Sequence, residues 1–368
     1  MRLGILFLLL ILNVETVFAK KNKIQLVDFT MLERKNFSAL RGWEEENFSE
    51  ALLAFLDNCG KIIELSPEKN IFPQIKTNMK ITRDDFYAVC KIADVIKNYS
   101  NKYKQVFFES FFVPYKVVGK NGEKSLFTGY YIPTLRAKTR RDDIFKYPIY
   151  RRPSNLNYTR KEINGGALEG KNLEIFFTDD PVDLFFAHIQ GSFNVFLTDE
   201  TRVVPLGFDG KNNHKFSPIW KFIVDNDLLD DPHPNPMRLK QELKKKSRDF
   251  CMNIFDANNS YVFFKVINGG GITGAFGTKL IPTRTMAVDN GVIPLGFPLW
   301  LSTNQTSGEK TKEFNKMVIA NDTGSAIKGS IRGDIFFGYG NFAEERASRQ
   351  YSEGEYYLLI PERIVRKL

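Results

Sequence analysis

The chain has 368 residues, 43% of them hydrophobic and 14% aromatic, and 52 Lys and Arg against 43 Asp and Glu give a net charge of +9. This is enough apolar material for sizeable cores, without repeats or low-complexity tracts, which excludes a disordered or fibrous chain. Three cysteines are too few for a disulfide framework.

Residues 1–19 begin with one basic residue, continue as an apolar run from Leu3 to Leu12, and end in the small-residue pattern Val17-Phe-Ala19 before Lys20. They read as a secretory signal peptide cut after Ala19. The run is too short to cross a bilayer, and no cysteine stands near the cut to carry a lipid. Its loss removes Arg2 and Glu15, so the charge stays at +9. The remaining length, about 350 residues, predicts two domains. An exported chain of this charge is drawn to wall polymer or lipid headgroups rather than to nucleic acid. Of its basic clusters, Lys244 to Arg248 reads as a solvated helix face. An oxidising compartment permits one bridge. Cys59 and Cys90 share the N-terminal helical region and are expected to pair, which leaves Cys251 as a buried thiol.

From Asn47 to about Ser125 the pattern is helical. Ser49 is placed to cap a helix through Leu52, Phe55 and Leu56. Asp84 and Asp85 open a second through Phe86, Val89, Ile92 and Val95, and a third passes Tyr103, Val106, Phe107 and Phe111. At Leu126 the period changes to strands and turns rich in aromatic and β-branched residues. Short helices are expected at 181–188 and 217–224. Asn235-Pro236 starts another, with Met237, Leu239, Leu243 and Phe250 on its inner face. Strands follow from Tyr261, at 261–267, 286–288, 299–301, 317–320, 335–337 and 356–360, with a helix at 343–349. The expected architecture is therefore mainly β with an N-terminal helical part. Residues 20–131 and 257–368 form a discontinuous barrel-like domain, and 132–256 form a β-rich insert.

Two aspartates, Asp322 and Asp334, sit at the ends of apolar runs separated by glycine-rich chain. A carboxylate at a strand mouth is held on rigid scaffold and can face a cleft, as a general acid must. Both would equally suit turns. Asp322-Thr-Gly-Ser325 is also the tetrapeptide of aspartic proteases, but that chemistry needs a second motif and this chain has one. Gly269 to Gly274 matches a dinucleotide-binding pattern, yet no helix follows to hold a pyrophosphate. No metal-ligand spacing and no Gly-x-Ser-x-Gly elbow is present. Neither a cofactor nor a metal is expected.

Four ordered segments carry a resemblance. They are Phe127-Thr-Gly-Tyr-Tyr-Ile-Pro133 with Tyr147-Pro-Ile-Tyr150, and Asp180 through Gln190-Gly-Ser192 with Gly210-Lys-Asn212. Then come Asn259 to Phe264 through Ala287-Val-Asp289 to Gly296, and Asp322-Thr-Gly-Ser-Ala-Ile-Lys-Gly329 with Arg332-Gly-Asp-Ile-Phe-Phe-Gly338. From about Phe127 to Pro361 the chain resembles the MltA-type lytic transglycosylases with their C-terminal three-aspartate domain. It departs at Phe193, where a second glycine is common, and at Ser325, where Gly is more usual. The resemblance implies a double-psi β-barrel interrupted by a second β domain, with peptidoglycan glycan strands lying in the groove between them. It also implies non-hydrolytic cleavage between N-acetylmuramic acid and N-acetylglucosamine. Asp334 would be the acid/base, with Asp322 and Asp289 the other signature aspartates.

A single carboxylate suits that chemistry, because the sugar's own 6-hydroxyl is the nucleophile. Asp334 would need a raised pKa, supplied by Ile335, Phe336, Phe337 and the neighbouring charge of Asp322. Thr128, Tyr130, Gln190, Ser192, Lys211, Lys265 and Asp289 are the expected glycan contacts. The rival class is an expansin-like wall-binding protein, whose barrel is related but does not cut. A monomer in the periplasm is expected, and peripheral association with the outer membrane or a wall-synthesis complex is compatible with it.

Overall fold

The computed structural model describes residues 32–71, 80–119, 122–230, 235–269, 271–307 and 310–367. The signal peptide expected at 1–19 lies outside them. The chain opens with β1 (Leu32–Arg34), α1 (Phe48–Ile63), α2 (Arg83–Ile96), α3 (Asn101–Phe111), β2 (Phe112–Val117) and β3 (Leu126–Ile132). It continues through β4 (Thr134–Lys138), β5 (Tyr147–Tyr150), α4 (Arg160–Asn164), β6 (Glu174–Thr178), α5 (Pro181–Gln190), β7 (Phe193–Leu197) and β8 (Arg202–Lys211). Next come α6 (Ile219–Asp225), α7 (Pro236–Lys244), α8 (Arg248–Asp256), β9 (Val262–Val266) and β10 (Thr285–Val288). The last part holds β11 (Pro298–Ser307), β12 (Lys310–Asp322), β13 (Arg332–Tyr339), α9 (Gly340–Arg349), β14 (Tyr351–Ser352), β15 (Gly354–Pro361) and α10 (Glu362–Val365).

Two sheets result. Nine strands run in the order β1-β2-β15-β11-β12-β10-β13-β3-β14, and six in the order β5-β6-β4-β7-β8-β9. The larger curls into a nearly closed barrel. The buried Gln350 side chain helps join its edge, donating from Nε2 to the carbonyls of Phe127 on β3 and Asn304 on β11. Every strand of the smaller sheet lies between β3 and β10 in sequence. The expected return to the barrel at residue 257 comes later, because β9 pairs antiparallel with β8 and completes the smaller sheet.

Helices α1 to α3 cover the barrel with a core that includes Phe48, Phe55, Phe86, Phe108 and Trp300, all essentially inaccessible to solvent. Cys59 on α1 and Cys90 on α2 form a disulfide, and Cys251 is a buried free thiol. The buried Arg284 guanidinium donates to both carboxylate oxygens of Glu46, at 2.8 and 2.9 Å, and ties the N-terminal part to β12 through the Met317 carbonyl.

Local geometry corrects three sequence expectations. Asn47, not Ser49, caps α1 by accepting from Glu50 N. On α3, Tyr103 and Val106 face solvent while Phe107 and Phe108 turn inward. The single helix expected beyond Asn235 is two, because Ser247 accepts from Phe250 N and starts α8 afresh.

Candidate active site

Asp334 is the third residue of β13. The registers set it opposite Thr128 of the parallel strand β3 and opposite Ala287 of the antiparallel strand β10. Thr128 and Asp334 meet on one face, and the Thr128 hydroxyl donates to Asp334 Oδ1 at 2.5 Å. Arg332 lies two residues earlier and so on the same face. It donates from Nη2 to Thr128 Oγ1 at 2.9 Å. Burial pushes the Asp334 carboxyl up to about 6. The Thr128 hydrogen bond and the Arg332 charge pull it back, and Asp322 adds a smaller push upward. Ile335 and Phe336, the next two residues, are fully buried.

Asp322 ends β12, on the other side of β10, and Ala287 is its partner as well. Two strand spacings separate the two aspartate backbones, roughly 10 Å. Both Asp322 oxygens are engaged. Oδ2 accepts from the Tyr130 hydroxyl at 2.7 Å, and Oδ1 accepts from the backbone N–H groups of Ala275 at 3.0 Å and Thr323 at 2.9 Å. Burial raises its pKa against these three bonds. Burial and the Asp322 charge also hold the Tyr130 phenol well above its ordinary range, so it stays protonated and is the donor. The shared-proton pair of an aspartic protease is not built here: Asp322 is committed to a phenol and a loop.

The other expected residues divide. Thr128 and Tyr130 touch the aspartates themselves. Asp289 ties down the turn before β13, accepting from Gly291 N and Gly329 N at 3.1 Å each. Gln190, the last residue of α5, accepts from Tyr131 N at 3.2 Å and so links the smaller sheet's helix to β3. Ser192 follows in the half-buried turn into β7. Phe193 does not stiffen that turn: the left-handed backbone is carried by Gly191, and Phe193 is buried against Phe264 at 4.7 Å. Lys265 pairs with Asp209 at 3.5 Å. Lys211 donates to the His214 carbonyl and sits opposite Val262, at the end of the sheet away from the barrel. Five residues beyond Leu206, it lies about 15 Å further out than the barrel end, so the structure does not gather it with Asp334.

Two residues near Asp334 were not singled out from the sequence. Arg332 had a signal, its two-residue spacing from Asp334 on one strand. Tyr351 had none, since β14 is two residues long. It stands opposite Thr128 with its ring 75% exposed, and directly paired residues share a face. A cavity of about 340 Å³ is lined by Tyr131, Pro133, Asp183, Lys240, Lys244 and Glu344. Because side chains alternate along β3, it opens on the face away from Thr128 and Tyr130. Lys240 crosses it to Asp183 at 3.0 Å and Glu344 at 2.8 Å.

Fold and site together define a protein whose barrel sheet is interrupted by a second sheet and carries two buried aspartates of raised pKa, Asp334 and Asp322. Residues 126–265 match the MltA specific insert domain and residues 284–360 the 3D domain. The chain belongs to the MltA family. It is 30% identical over 220 residues to membrane-bound lytic murein transglycosylase A of Vibrio cholerae, a match covering 58% of this chain and 60% of that protein. The match therefore spans about three fifths of that curated relative's length. The structure is similar to that of the membrane-bound lytic murein transglycosylase from Agrobacterium tumefaciens, with 27% identity and a TM-score of 0.77 over 91% of this chain and 98% of the other. MltA from Neisseria gonorrhoeae is similar at 26% identity and a TM-score of 0.74, over 90% and 92% of the two chains.

Proposed function

We propose that the protein is a lytic transglycosylase, cleaving the β-1,4 bond between N-acetylmuramic acid and N-acetylglucosamine in peptidoglycan and leaving a 1,6-anhydro end. The observation that carries this reading is a buried carboxylate with a raised pKa whose aspartate neighbour is committed to other partners. Asp334 is raised to about 6, while the nearest aspartate partner, Asp322, has both oxygens engaged. A hydrolase would need a second carboxylate to attack the sugar or activate water.

In the proposed reaction, protonated Asp334 donates to the glycosidic oxygen as the C1–O4 bond breaks. The muramyl 6-hydroxyl oxygen closes on C1, and its proton returns to Asp334. No water enters, and the enzyme regains its starting state. The sugar ring holds the nucleophile in place, and the effective molarity of such intramolecular attack, of order 10⁵ M or more, replaces a water-activating base. Asp322 holds Tyr130 and the 275 loop in place. Gln190 and Ser192 at the junction of the two sheets, and Tyr351 beside Thr128, offer polar and aromatic contacts to flanking sugars. Action in the periplasm follows from the expected signal peptide, and association with a membrane agrees with the names of the relatives.

Mass spectrometry of purified peptidoglycan digested with residues 20–368 tests the reading. Muropeptides lighter by one water than their hydrolysed counterparts support it, and Asp334→Asn must abolish them. Glycan strands that are bound but left intact would mark a wall-binding protein of the expansin kind, and cleaved stem peptides a protease.

A further inference from the structure

The Thr128 hydroxyl has one hydrogen and two lone pairs, whereas a guanidinium only donates. Arg332 Nη2 reaches Thr128 Oγ1 at 2.9 Å and therefore occupies a lone pair, so the hydroxyl hydrogen is free to point at Asp334 Oδ1, 2.5 Å away. Among the described residues, Asp334 Oδ1 is the acceptor this hydroxyl serves. An oxygen accepting so short a hydrogen bond is the poorer place for the carboxyl's own proton. Arg332 is itself held in place, donating from Nη1 to the Leu126 carbonyl at 3.1 Å and to its neighbour Gly333 at 2.5 Å.

We propose that Arg332 is a positioning residue which, acting through Thr128, confines the catalytic proton to Oδ2 of Asp334, the oxygen that the Thr128 hydroxyl leaves free. This rests on the reading of Asp334 as the acid. The relay replaces a direct ion pair. A guanidinium bonded to the carboxylate itself would favour the charged form and take the proton away, whereas one hydroxyl in between orients the acid and weakens that effect. The other groups facing this cluster are few. Tyr130 and Asp322 lie on the far side and hold each other, β10 presents only Ala287 opposite Asp334, and Tyr351 of β14 adds a phenol near Arg332.

The test combines two measurements on the full secreted chain. The first is a ¹³C NMR titration of the Asp334 carboxyl in the resting protein, which does not depend on turnover. The second is the pH profile of anhydro-muropeptide release. Arg332→Met keeps the bulk and removes the donors. It should raise the Asp334 midpoint, move the alkaline limb of the profile upward with it, and, because the acid is no longer oriented, lower the plateau kcat about tenfold. Thr128→Ser, which keeps the hydroxyl, should stay close to the native profile, and Thr128→Val should not. Arg332→Met combined with Thr128→Val should be no worse than Thr128→Val alone, since both act through one hydroxyl. Additive losses, or an Arg332→Met protein whose midpoint and kcat match the native ones, would overturn the relay. A native protein that titrates near 6 but releases no anhydro product would instead remove the transglycosylase reading and leave the NMR comparison to judge the relay.

Discussion

As the proposed acid, Asp334 has to hold a proton near neutral pH and then give it up, and its surroundings set both halves of that task. With a folded pKa of about 6, the acid form is lost as pH rises, so kcat should fall about tenfold per pH unit above the midpoint. A profile flat to pH 8 would exclude Asp334 as the acid. The same shift has a stability sign. An unfolded aspartate titrates near about 3.9, so between that value and 6 the folded state binds the extra proton. The stabilisation is complete below about pH 4 and is lost as pH rises through 6. Asp334→Asn, which cannot ionise, should therefore be inactive yet more stable than the native chain by about 3 kcal/mol at pH 7.5, a shift of about two units at about 1.4 kcal/mol each, and level with it at about pH 3; melting curves at the two pH values decide. Asp322 and Asp334 were legible in the sequence because both stand at the ends of apolar runs separated by glycine-rich chain. Arg332 was passed over although it lies in the same quoted segment, since its role depends on a hydroxyl 204 residues away.

Elements place these residues to within a hydrogen bond. β13 lies against β3 so closely that a Cβ at Gly129 would come within 2.5 Å of the Phe337 ring and 2.9 Å of Ala347 Cα on α9. Gly129→Ala should cost about 1–3 kcal/mol and lower activity as well, because it shifts the strand that carries Thr128; denaturant midpoints and turnover, measured together, test this. Further from the site, Arg284 and Glu46 are each 2% exposed. Arg284→Met leaves a buried carboxylate without its partner and should cost about 3–5 kcal/mol, with Glu46→Gln recovering part of the loss in a double variant. Most strands were readable from alternation and flanking glycines. The break between α7 and α8 was not, because Ser247 sits inside a lysine run that looks like one continuous polar face. The partner of Gln190 was also hidden: it is a backbone N–H, which every residue of β3 offers.

At the scale of the whole molecule, the two sheets are joined by Gln190 on Tyr131 and by Lys240 between Asp183 and Glu344. Lys240→Met should raise KM for glycan strands several-fold while leaving kcat within about twofold, since Thr128, Arg332 and Asp334 all belong to the barrel; a large loss of kcat would mean that the junction also shapes the acid. The insertion of one sheet into another was suggested by composition and implied by the resemblance, but its far edge was hidden, since β9 resembles any other strand until its partner is known. The parallel pairing of β13 with β3 sets a timetable as well as a geometry. Thr128 and Asp334 are 206 residues apart, and the entire smaller sheet is spelled out between them. A chain emerging from its N-terminus carries β3 and all of the second sheet before it owns Asp334 at all. β15, one of the last elements, must then slot between β2 and β11 to finish the barrel. If the proposed reaction holds, half-made copies are thus toothless, and the ability to cut arrives only with the final stretch of chain.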